Sequence, residues 1–297
     1  MIEIKVPSST ANLGPGFDTL GAALNLYNRF FLEKSGNNLV ITGCPEEFTD
    51  ENNLVYKSMK YTADKFHRTL PQGIKLHIDT HIPLSRGLGS SSTCIVAGIF
   101  GASELLELHL SREDILNIAS DIEGHPDNVA PAILGGIITT VSKEGKLYYD
   151  KIPLGKEIKF ISLIPDFELA TSLSRSVLPD TIKRTDGIFN ISRVSLLITS
   201  LITGNLENLS VACEDRLHQP YRASLIPDYE AIVNKCWEFN ASAVFLSGAG
   251  PTILALVPYE NNDFITSINN YLITLENKWQ SKELFIDFQG TQIKHHK

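Results

Sequence analysis

The chain has 297 residues, enough for about two domains of ordinary size. Its composition, 43% hydrophobic and 20% charged, is typical of a globular protein with a sizeable core and argues against intrinsic disorder. The 26 Lys and Arg against 34 Asp and Glu give a net charge of −8, which argues against a broad basic surface for nucleic acid. Any anionic ligand therefore needs a local binding device.

The cysteines and the apolar segments bear on the compartment. Four cysteines, at positions 44, 94, 213 and 236, lie far apart without a Cys-x-x-Cys pair, which favours free thiols over a zinc site. The N-terminus lacks the apolar core of a signal peptide, and no apolar stretch approaches the ~20 residues of a membrane helix. We expect a cytoplasmic protein without nucleic-acid or membrane partners. The tail, residues 294–297, is expected to be frayed and solvated.

Apolar periodicity predicts the elements of the first half. Strands are predicted at residues 2–6, 26–33, 38–42 and 73–78, with a helix at 53–66. A loop at 83–89 leads into a long helix of small residues at 90–108. Ser111 followed by Asp114 resembles a capping box that opens another helix. Strands at 135–141 and 146–149 close this half.

The second half mixes strands and helices irregularly. A strand is predicted at 158–164, helices at 186–203, 206–215 and 228–239, strands at 243–246 and 252–257, a helix at 262–276 and a last strand at 283–288. Such mixing favours an α+β fold over a doubly wound sheet. Pro153 and Gly155 punctuate the chain between the halves, so the predicted domains are residues 1–152 and 153–297.

Three Gly-x-Gly turns, at residues 14–16, 87–89 and 248–250, are the most informative feature. One such turn alone is more often just a tight turn. The middle one follows a strand and opens a helix rich in serine, so backbone N–H groups, the helix N-terminus and hydroxyls suit a bound phosphate. It is neither a Walker loop, since no Gly-Lys-Ser/Thr follows, nor a dinucleotide fingerprint, since Ser92 holds the third glycine position.

Two further polar clusters carry candidate side chains. Asn12 and Asp18 flank the first glycine turn, where an amide and a carboxylate could bind an ammonium or hydroxyl group, or simply cap the local backbone. In the second cluster, residues 123–131, Glu123 offers an oxygen ligand for magnesium. His125 alone is more often structural than catalytic. Asp127 could be a base or the N-cap of a short helix.

These motifs resemble those of the GHMP (galactokinase, homoserine, mevalonate, phosphomevalonate) kinase superfamily. Residues 87–92 match its phosphate loop and residues 246–252 its C-terminal glycine motif. Residues 9–18 (STANLGPGFD) and 125–131 (HPDNVAP) resemble the homoserine kinase branch more specifically, as do residues 175–179 and 220–222. The matches run from residue 6 to residue 252.

The resemblance implies both a fold and an activity. The fold is a two-domain α+β structure: an ATP-binding N-terminal domain like the second domain of ribosomal protein S5, and a ferredoxin-like C-terminal domain. The activity is that of a phosphotransferase with an alcohol acceptor. It transfers the γ-phosphoryl group of ATP to the side-chain hydroxyl of L-homoserine, a step of threonine biosynthesis, with Mg²⁺. A homodimer is the usual assembly.

The resemblance also assigns roles to individual residues. The adenine of ATP is expected to contact Asn53. The phosphates of ATP are expected to contact a loop made of Pro83, Leu84, Ser85, Arg86, Gly87, Leu88, Gly89, Ser90, Ser91, Ser92 and Thr93. Magnesium is expected on Ser91 and Glu123, with Ser90 as a nearby alternative. The substrate is expected to contact Asn12, Asp18, Asn128, Thr171, Arg175 and Arg222, the arginines binding its carboxylate and Asp18 its ammonium.

Asn128, Asp127 and Arg175 are the expected catalytic residues. Asp127 aligns roughly with the base of related kinases, but phosphoryl transfer needs little beyond positioning and charge neutralisation, and homoserine kinases are thought to work without a strong base. The chain departs from the family before Arg175, where Thr-Ser-Leu-Ser-Arg stands in place of Thr-Lys-x-Ala-Arg. The charge-balancing role of that lysine therefore has no counterpart here.

Three other interpretations remain open at this point. A mevalonate-type kinase would bind a substrate without an amine, which leaves Asp18 without a role. A catalytically silent nucleotide-binding relative is disfavoured by Ser91 and Glu123. A dinucleotide oxidoreductase is disfavoured by the missing third glycine.

Overall fold

The computed structural model describes residues 1–296, and the strands in this range form two sheets. The strands are β1 (Ile2–Ala11), β2 (Leu20–Lys34), β3 (Leu39–Thr42), β4 (Ile74–Asp79), β5 (Ile137–Lys143), β6 (Lys146–Ile152), β7 (Ile158–Pro165), β8 (Ala243–Leu246), β9 (Ile253–Pro258), β10 (Trp279–Leu284) and β11 (Gln292–His295).

The helices lie between these strands, with 3₁₀ turns at Glu46–Phe48 and Leu206–Asn208. They are α1 (Leu54–Lys65), α2 (Ser90–Leu105), α3 (Arg112–Glu123), α4 (Val129–Leu134), α5 (Thr171–Ser176), α6 (Arg184–Thr203), α7 (Leu209–Ala212), α8 (Gln219–Ala223), α9 (Tyr229–Glu238) and α10 (Phe264–Leu272). Among the described residues, none of them combines the length and the apolar character that crossing a bilayer requires. The four cysteines are free thiols, as expected.

The first sheet is organised around β2. Its strand order is β11-β1-β2-β4-β3, and β5 pairs with the first residues of β2 and carries β6 at its other edge. All pairs are antiparallel except β3 with β4. Buried side chains of the sheet, such as Ile4, Phe30 and Leu32, form one core with Met59 of α1 and Val96 of α2. This core fixes the direction of α2, whose N-terminus lies at the phosphate-type loop.

The second sheet is antiparallel with the order β10-β7-β9-β8. Counted along the chain within this sheet, that order is fourth, first, third, second. Helices join the first strand to the second and the third to the fourth, which is the split βαββαβ arrangement of a ferredoxin-like domain. The predicted α+β, two-domain architecture is therefore confirmed.

The first two strands are longer than their apolar alternation predicts. β1 continues to Ala11 and β2 begins at Leu20, so Ser8, Ser9 and Thr10 pair with residues 22–24 instead of forming a loop. These three polar residues are fully buried. Small hydroxylic residues interrupt the apolar alternation without interrupting the strand. The alternation therefore predicted a first strand that ends at residue 6, too early.

Several short elements were not predicted or were misplaced. Helices α5 and α8 have no counterpart in the prediction, and α4 corresponds to the short helix considered after Asp127. The helix expected at 206–215 is a 3₁₀ turn followed by the single turn of α7. The last strand expected at 283–288 lies at Trp279–Leu284 instead. Segments of four to six residues have too few positions to show a period, so their type is settled by tertiary contacts.

The C-terminus corrects two expectations. Residues 292–295 form β11, which pairs with β1 from Ile2 opposite His295 to Lys5 opposite Gln292, so this segment is not frayed. His296 Nε2 lies 2.6 Å from Glu3 Oε2. The chain thus returns to the first sheet, and the predicted range 153–297 does not describe one compact unit at its end. Lys297 lies outside the described residues.

Candidate active site

The middle and third glycine turns meet at the end of β1, just before the first turn. Ser9 N donates to Leu88 O at 3.2 Å, which joins β1 to the middle turn. Gly248 N donates to Ala11 O, also at 3.2 Å, which joins β1 to the third turn. The end of β1 and the third turn, more than two hundred residues apart in sequence, are therefore hydrogen-bonded to one another, and residues of both line a cleft together with the middle turn.

Most of the predicted site residues line this cleft. They are Asn12, Asp18, Ser85, Arg86, Gly87, Gly89, Ser90, Ser91, Ser92, Glu123, Asp127, Asn128, Thr171, Arg175 and Arg222. They come from both halves of the chain and converge because the glycine turns are bonded together. His125, which was expected to be structural, also lines the cleft.

Four residues of the predicted ATP loop, Pro83, Leu84, Leu88 and Thr93, are not part of the lining. Leu88 is fully buried in the apolar core beneath the loop. Thr93 Oγ1 donates to Ser90 O at 2.8 Å and is itself buried. Leu88 and Thr93 therefore support the loop from the protein interior.

Asn53 has a clear structural role at the start of α1. Its Oδ1 accepts from Val55 N at 2.9 Å, which caps the helix, and its Nδ2 donates to Phe48 O at 2.8 Å. The residue is 4% exposed and does not line the cleft. The adenine contact stays a prediction, and its side-chain amide already has two partners in the protein.

The loop before α2 needs its glycines. Gly87 and Gly89 have φ of +75° and +70°, a region that favours glycine. A Cβ on Gly87 would overlap Ser247 O, and one on Gly89 would overlap Ser9 Oγ. The loop therefore passes close to both neighbouring turns, which a larger residue would prevent.

The first turn of α2 presents unpaired donors to the cleft. The first backbone bond of the helix runs from Thr93 N to Gly89 O at 3.0 Å, so the N–H groups of residues 90–92 lack intrahelical partners. Ser90 Oγ is buried without a hydrogen-bond partner in residues 1–296. Unpaired N–H groups at the positive end of a helix favour an anion such as phosphate.

Glu123 lies opposite this turn and supplies a carboxylate. Its Oε1 accepts from Ser92 Oγ at 2.8 Å and lies 3.4 Å from Ser91 Oγ. Burial raises the pKa of Glu123 above its ordinary value, and the Ser92 hydrogen bond opposes this. The carboxylate and the hydroxyls of Ser91 and Ser92 form an oxygen donor set of the kind that Mg²⁺ prefers, and Ser90 lines the same cleft. Ser92, not Ser91, makes the shorter bond to Glu123.

Asp18 and Arg175 form a bidentate ion pair across the cleft. Arg175 Nη1 donates to Asp18 Oδ2 and Nη2 donates to Oδ1, both at 3.0 Å. Their side chains are 34% and 42% exposed, respectively. The hydrogen bonds that Arg175 donates to Asp18 raise the pKa of the arginine. A carboxylate and a guanidinium in contact can each be offered to the opposite charge of a zwitterion.

Arg222 is the second arginine of the cleft, and it is only 2% exposed. Burial, and next the charge of Arg175, lower its pKa to about 10. Both guanidinium carbons lie above the Phe17 ring, 5.6 Å from its centroid for Arg175 and 5.2 Å for Arg222. Phe17 belongs to the motif at residues 9–18, but sequence reasoning gave it no role.

The two asparagines predicted to contact the substrate differ in how many hydrogen bonds their side chains make within the protein. Asn12 is buried, its Oδ1 accepts from Asp18 N and its Nδ2 donates to Gly248 O, both at 3.0 Å. Its amide therefore holds the first and third turns together. Asn128 accepts from Ser9 Oγ at 3.0 Å through Oδ1. Thr171 is the exposed first residue of α5, one turn before Arg175.

Asp127 is paired with His125 and does not cap a helix. His125 Nδ1 lies 2.7 Å from Asp127 Oδ1, and this hydrogen bond raises the pKa of the histidine. Asp127 is 2% exposed. The N-cap position of α4 is Asn128, so the capping alternative for Asp127 is wrong.

Comparison with known proteins identifies the family of the chain. The family model described as the GHMP kinases N terminal domain matches residues 53–136, and the one described as GHMP kinases C terminal matches residues 197–271. Homoserine kinase of Clostridium botulinum (strain Okra / Type B1) is 46% identical over 297 residues, which cover all of both chains. The chain belongs to the homoserine kinases of the GHMP kinase family.

Solved structures agree with the family assignment. A homoserine kinase from Cytophaga hutchinsonii has a TM-score of 0.88 at 26% identity and covers 99% of this chain and 97% of its own. A mevalonate kinase from L. major has a TM-score of 0.72 at 19% identity, covering 95% and 94%. The second likeness concerns the fold alone. Among GHMP kinases the chain therefore groups with the homoserine kinases, and the mevalonate-type alternative is not favoured.

Proposed function

We propose that this chain uses ATP to phosphorylate the side-chain hydroxyl of L-homoserine. The observation that carries the proposal is a juxtaposition in one cleft. Unpaired N–H donors at the start of α2 lie beside a cluster of one carboxylate and two guanidiniums, those of Asp18, Arg175 and Arg222. The first group suits phosphates and the second suits an amino-acid zwitterion.

The phosphate end is assigned to the loop at residues 85–92. Its backbone N–H groups and the N-terminus of α2 would bind anionic oxygens without any lysine. Such local binding does not depend on the net charge of the chain, which is −8. Glu123 and Ser91, with Ser90 as the alternative, would hold Mg²⁺. That ion, when bound, neutralises charge on the transferred phosphoryl group.

The substrate end is assigned to the residues around Phe17. Asp18 would take the ammonium of homoserine, while Arg175 and Arg222 would take its carboxylate. The bidentate pair between Asp18 and Arg175 supports this, since each of these two groups carries the charge opposite to its substrate partner. Asn128 and Thr171, on the cleft wall, would orient the hydroxyl and the head group.

A strong general base is not required by this arrangement. The Oδ1 of Asp127 is occupied by His125 at 2.7 Å, and the residue is 2% exposed. Phosphoryl transfer passes through a transition state in which the nucleophile needs little deprotonation. We therefore assign Asp127 to orientation of the site, and Arg175 and Asn128 to direct contact with the reactants.

A coupled ADP-release assay with L-homoserine, L-threonine and mevalonate side by side tests the proposal. We expect Mg²⁺-dependent turnover with homoserine and none with mevalonate. D18N should raise the KM for homoserine and leave the KM for ATP unchanged, because it removes the ammonium partner and the ion pair with Arg175, both at the substrate end of the cleft. The matched control is D121N, whose carboxylate pairs with Lys65 on the surface. Turnover with mevalonate and not with homoserine would refute the proposal.

Assembly and location are proposed on the same basis. We propose a cytoplasmic homodimer, supported by the family membership. Exposed apolar side chains on α6, Ile188 at 59% and Ile191 at 69%, support a contact surface. Light scattering on the purified protein tests this, and a monomer at micromolar concentration would contradict it.

A further inference from the structure

His218 is a buried imidazole next to the cleft to which no role has yet been assigned. It is completely inaccessible to solvent and occupies the N-cap position of α8, one turn before Arg222. Its ring stacks on Phe17, with centroids 5.2 Å apart and an angle of 24° between the planes. It therefore lies against the two side chains that shape the substrate end of the cleft.

The two hydrogen-bond partners of His218 fix where its proton is. Nε2 lies 2.7 Å from Gly14 O, and a carbonyl can only accept, so Nε2 carries the hydrogen. Nδ1 lies 3.2 Å from Arg222 Nη1, and a guanidinium can only donate, so Nδ1 is unprotonated. The partners thus require the neutral Nε2–H tautomer.

The charged groups around His218 are consistent with a neutral ring. Burial lowers its pKa, and the charge of Arg222 adds to this, whereas Asp215 and Asp18 act in the opposite direction. Asp215 Oδ2 is 3.6 Å from Nε2, too far for a hydrogen bond. The same oxygen instead accepts the backbone N–H groups of His218 and Gln219, so this carboxylate organises the start of α8.

The remaining bonds of Arg222 show what this contact does. Nη1 also donates to Gly248 O at 3.0 Å, and Nε donates to Ser174 O at 3.2 Å. Within residues 1–296, Nη2 makes no hydrogen bond, while the residue lines the cleft. Nε and Nη1 are therefore held by the protein, and Nη2 is left for a ligand.

We propose that His218 is a positioning residue: its unprotonated Nδ1 holds Arg222 Nη1 and so directs Nη2 toward the substrate carboxylate. The inference rests on the proposed function, because the carboxylate is that of homoserine. His218 itself does not touch the reactants. It links the first glycine turn, through Gly14 O, to the arginine of the second half.

Two substitutions separate the two bonds of the ring. In H218N the amide oxygen falls near the position of Nδ1, so the acceptor for Arg222 is kept and the donor to Gly14 is lost. In H218Q the amide nitrogen falls near Nε2, so the donor is kept and the acceptor is lost. We expect H218Q to raise the KM for L-homoserine about tenfold, with the KM for ATP unchanged. The KM of H218N for L-homoserine should stay within about threefold of that of the unmodified protein.

A merely structural role predicts a different pattern. If H218N and H218Q raise the KM for homoserine equally and lower Tm equally, His218 only fills space and the proposal is overturned. The pH profile gives a second readout. The KM for homoserine should rise as pH falls, but only well below pH 6.5, because burial lowers the pKa of this ring and a proton on Nδ1 then removes the acceptor. H218N should lack this rise relative to the unmodified protein.

A third measurement does not depend on turnover. ¹⁵N NMR of the histidine rings at pH 7.5 should report the neutral Nε2–H tautomer for the signal that disappears in both variants. A cationic ring or an Nδ1–H tautomer overturns the proposal whatever the substrate is. Absence of homoserine turnover in the unmodified protein would instead count against the proposed function, so the two failures are distinguishable.

Discussion

Replacing Gly89 by alanine tests how the phosphate loop is held. Gly89 precedes α2 with φ of +70°, where an L-residue costs about 1–2 kcal/mol. Its new Cβ would overlap Ser9 Oγ, which donates to Asn128 Oδ1 at 3.0 Å. Displacing that hydroxyl costs a further ~0.5–1.5 kcal/mol for the lost hydrogen bond. We expect G89A to lower the free energy of unfolding by about 1.5–3.5 kcal/mol.

A matched glycine isolates the backbone contribution. Gly124 ends α3 with φ of +87°, and a Cβ there would meet no atom within 4 Å. G124A should therefore lose only about 1–2 kcal/mol. The double variant S9A/G89A removes the obstructing hydroxyl. It should be more stable than the sum of the single variants by about 1 kcal/mol.

Urea unfolding followed by far-UV circular dichroism measures these differences. Steady-state kinetics of G89A should also show a raised KM for ATP, because the donors at the start of α2 shift with the loop. Equal destabilisation by G89A and G124A would refute the overlap argument. Strict additivity of S9A and G89A would show that Ser9 is not the obstacle.

Three further predictions follow from the same contacts. D127N should lose less kcat than E123A or R175A, since its carboxylate orients and does not bind reactants, and steady-state kinetics in the reverse order would contradict this. His218 titrates at a lowered pKa when folded, so below pH 6.5 the unfolded state takes up the extra proton and the free energy of unfolding falls as pH falls. The slope is at most about 1.4 kcal/mol per pH unit. The raised pKa of His125 makes the free energy of unfolding rise as pH falls, which opposes the effect of His218. The difference in the free energy of unfolding between the unmodified protein and H218N therefore isolates the contribution of His218. R112A should speed hydrogen exchange in β11 and destabilise the fold by about 1.5–3 kcal/mol, because Arg112 donates to Ile133 O at 2.7 Å and to Thr291 O at 2.9 Å. Unchanged exchange there would contradict that assignment.

The amino-acid sequence alone accounts for the features that depend on local pattern. Alternation and helical spacing predicted most of the longer strands and helices, and Ser111 with Asp114 does form a capping box. The spacing of glycines and serines predicted a phosphate loop before α2, because close backbone approach and an exposed helix N-terminus are local requirements. The net charge of −8 likewise indicated that anions must be bound by local devices and not by the surface field.

Which residues meet in the cleft depends on long-range contacts that the folded chain makes. Arg175 could have been a surface ion pair with any acid, but the bonded glycine turns bring it to Asp18, 157 residues away. Asn12 and Asn53 look available in sequence, yet hydrogen bonds within the protein occupy their amides. The hydrogen bond of His218 to Gly14 O and the return of β11 to the first sheet join residues more than two hundred positions apart. Periodicity carries no information about such long-range pairings, because they are set by packing between elements and not by the order of neighbouring residues.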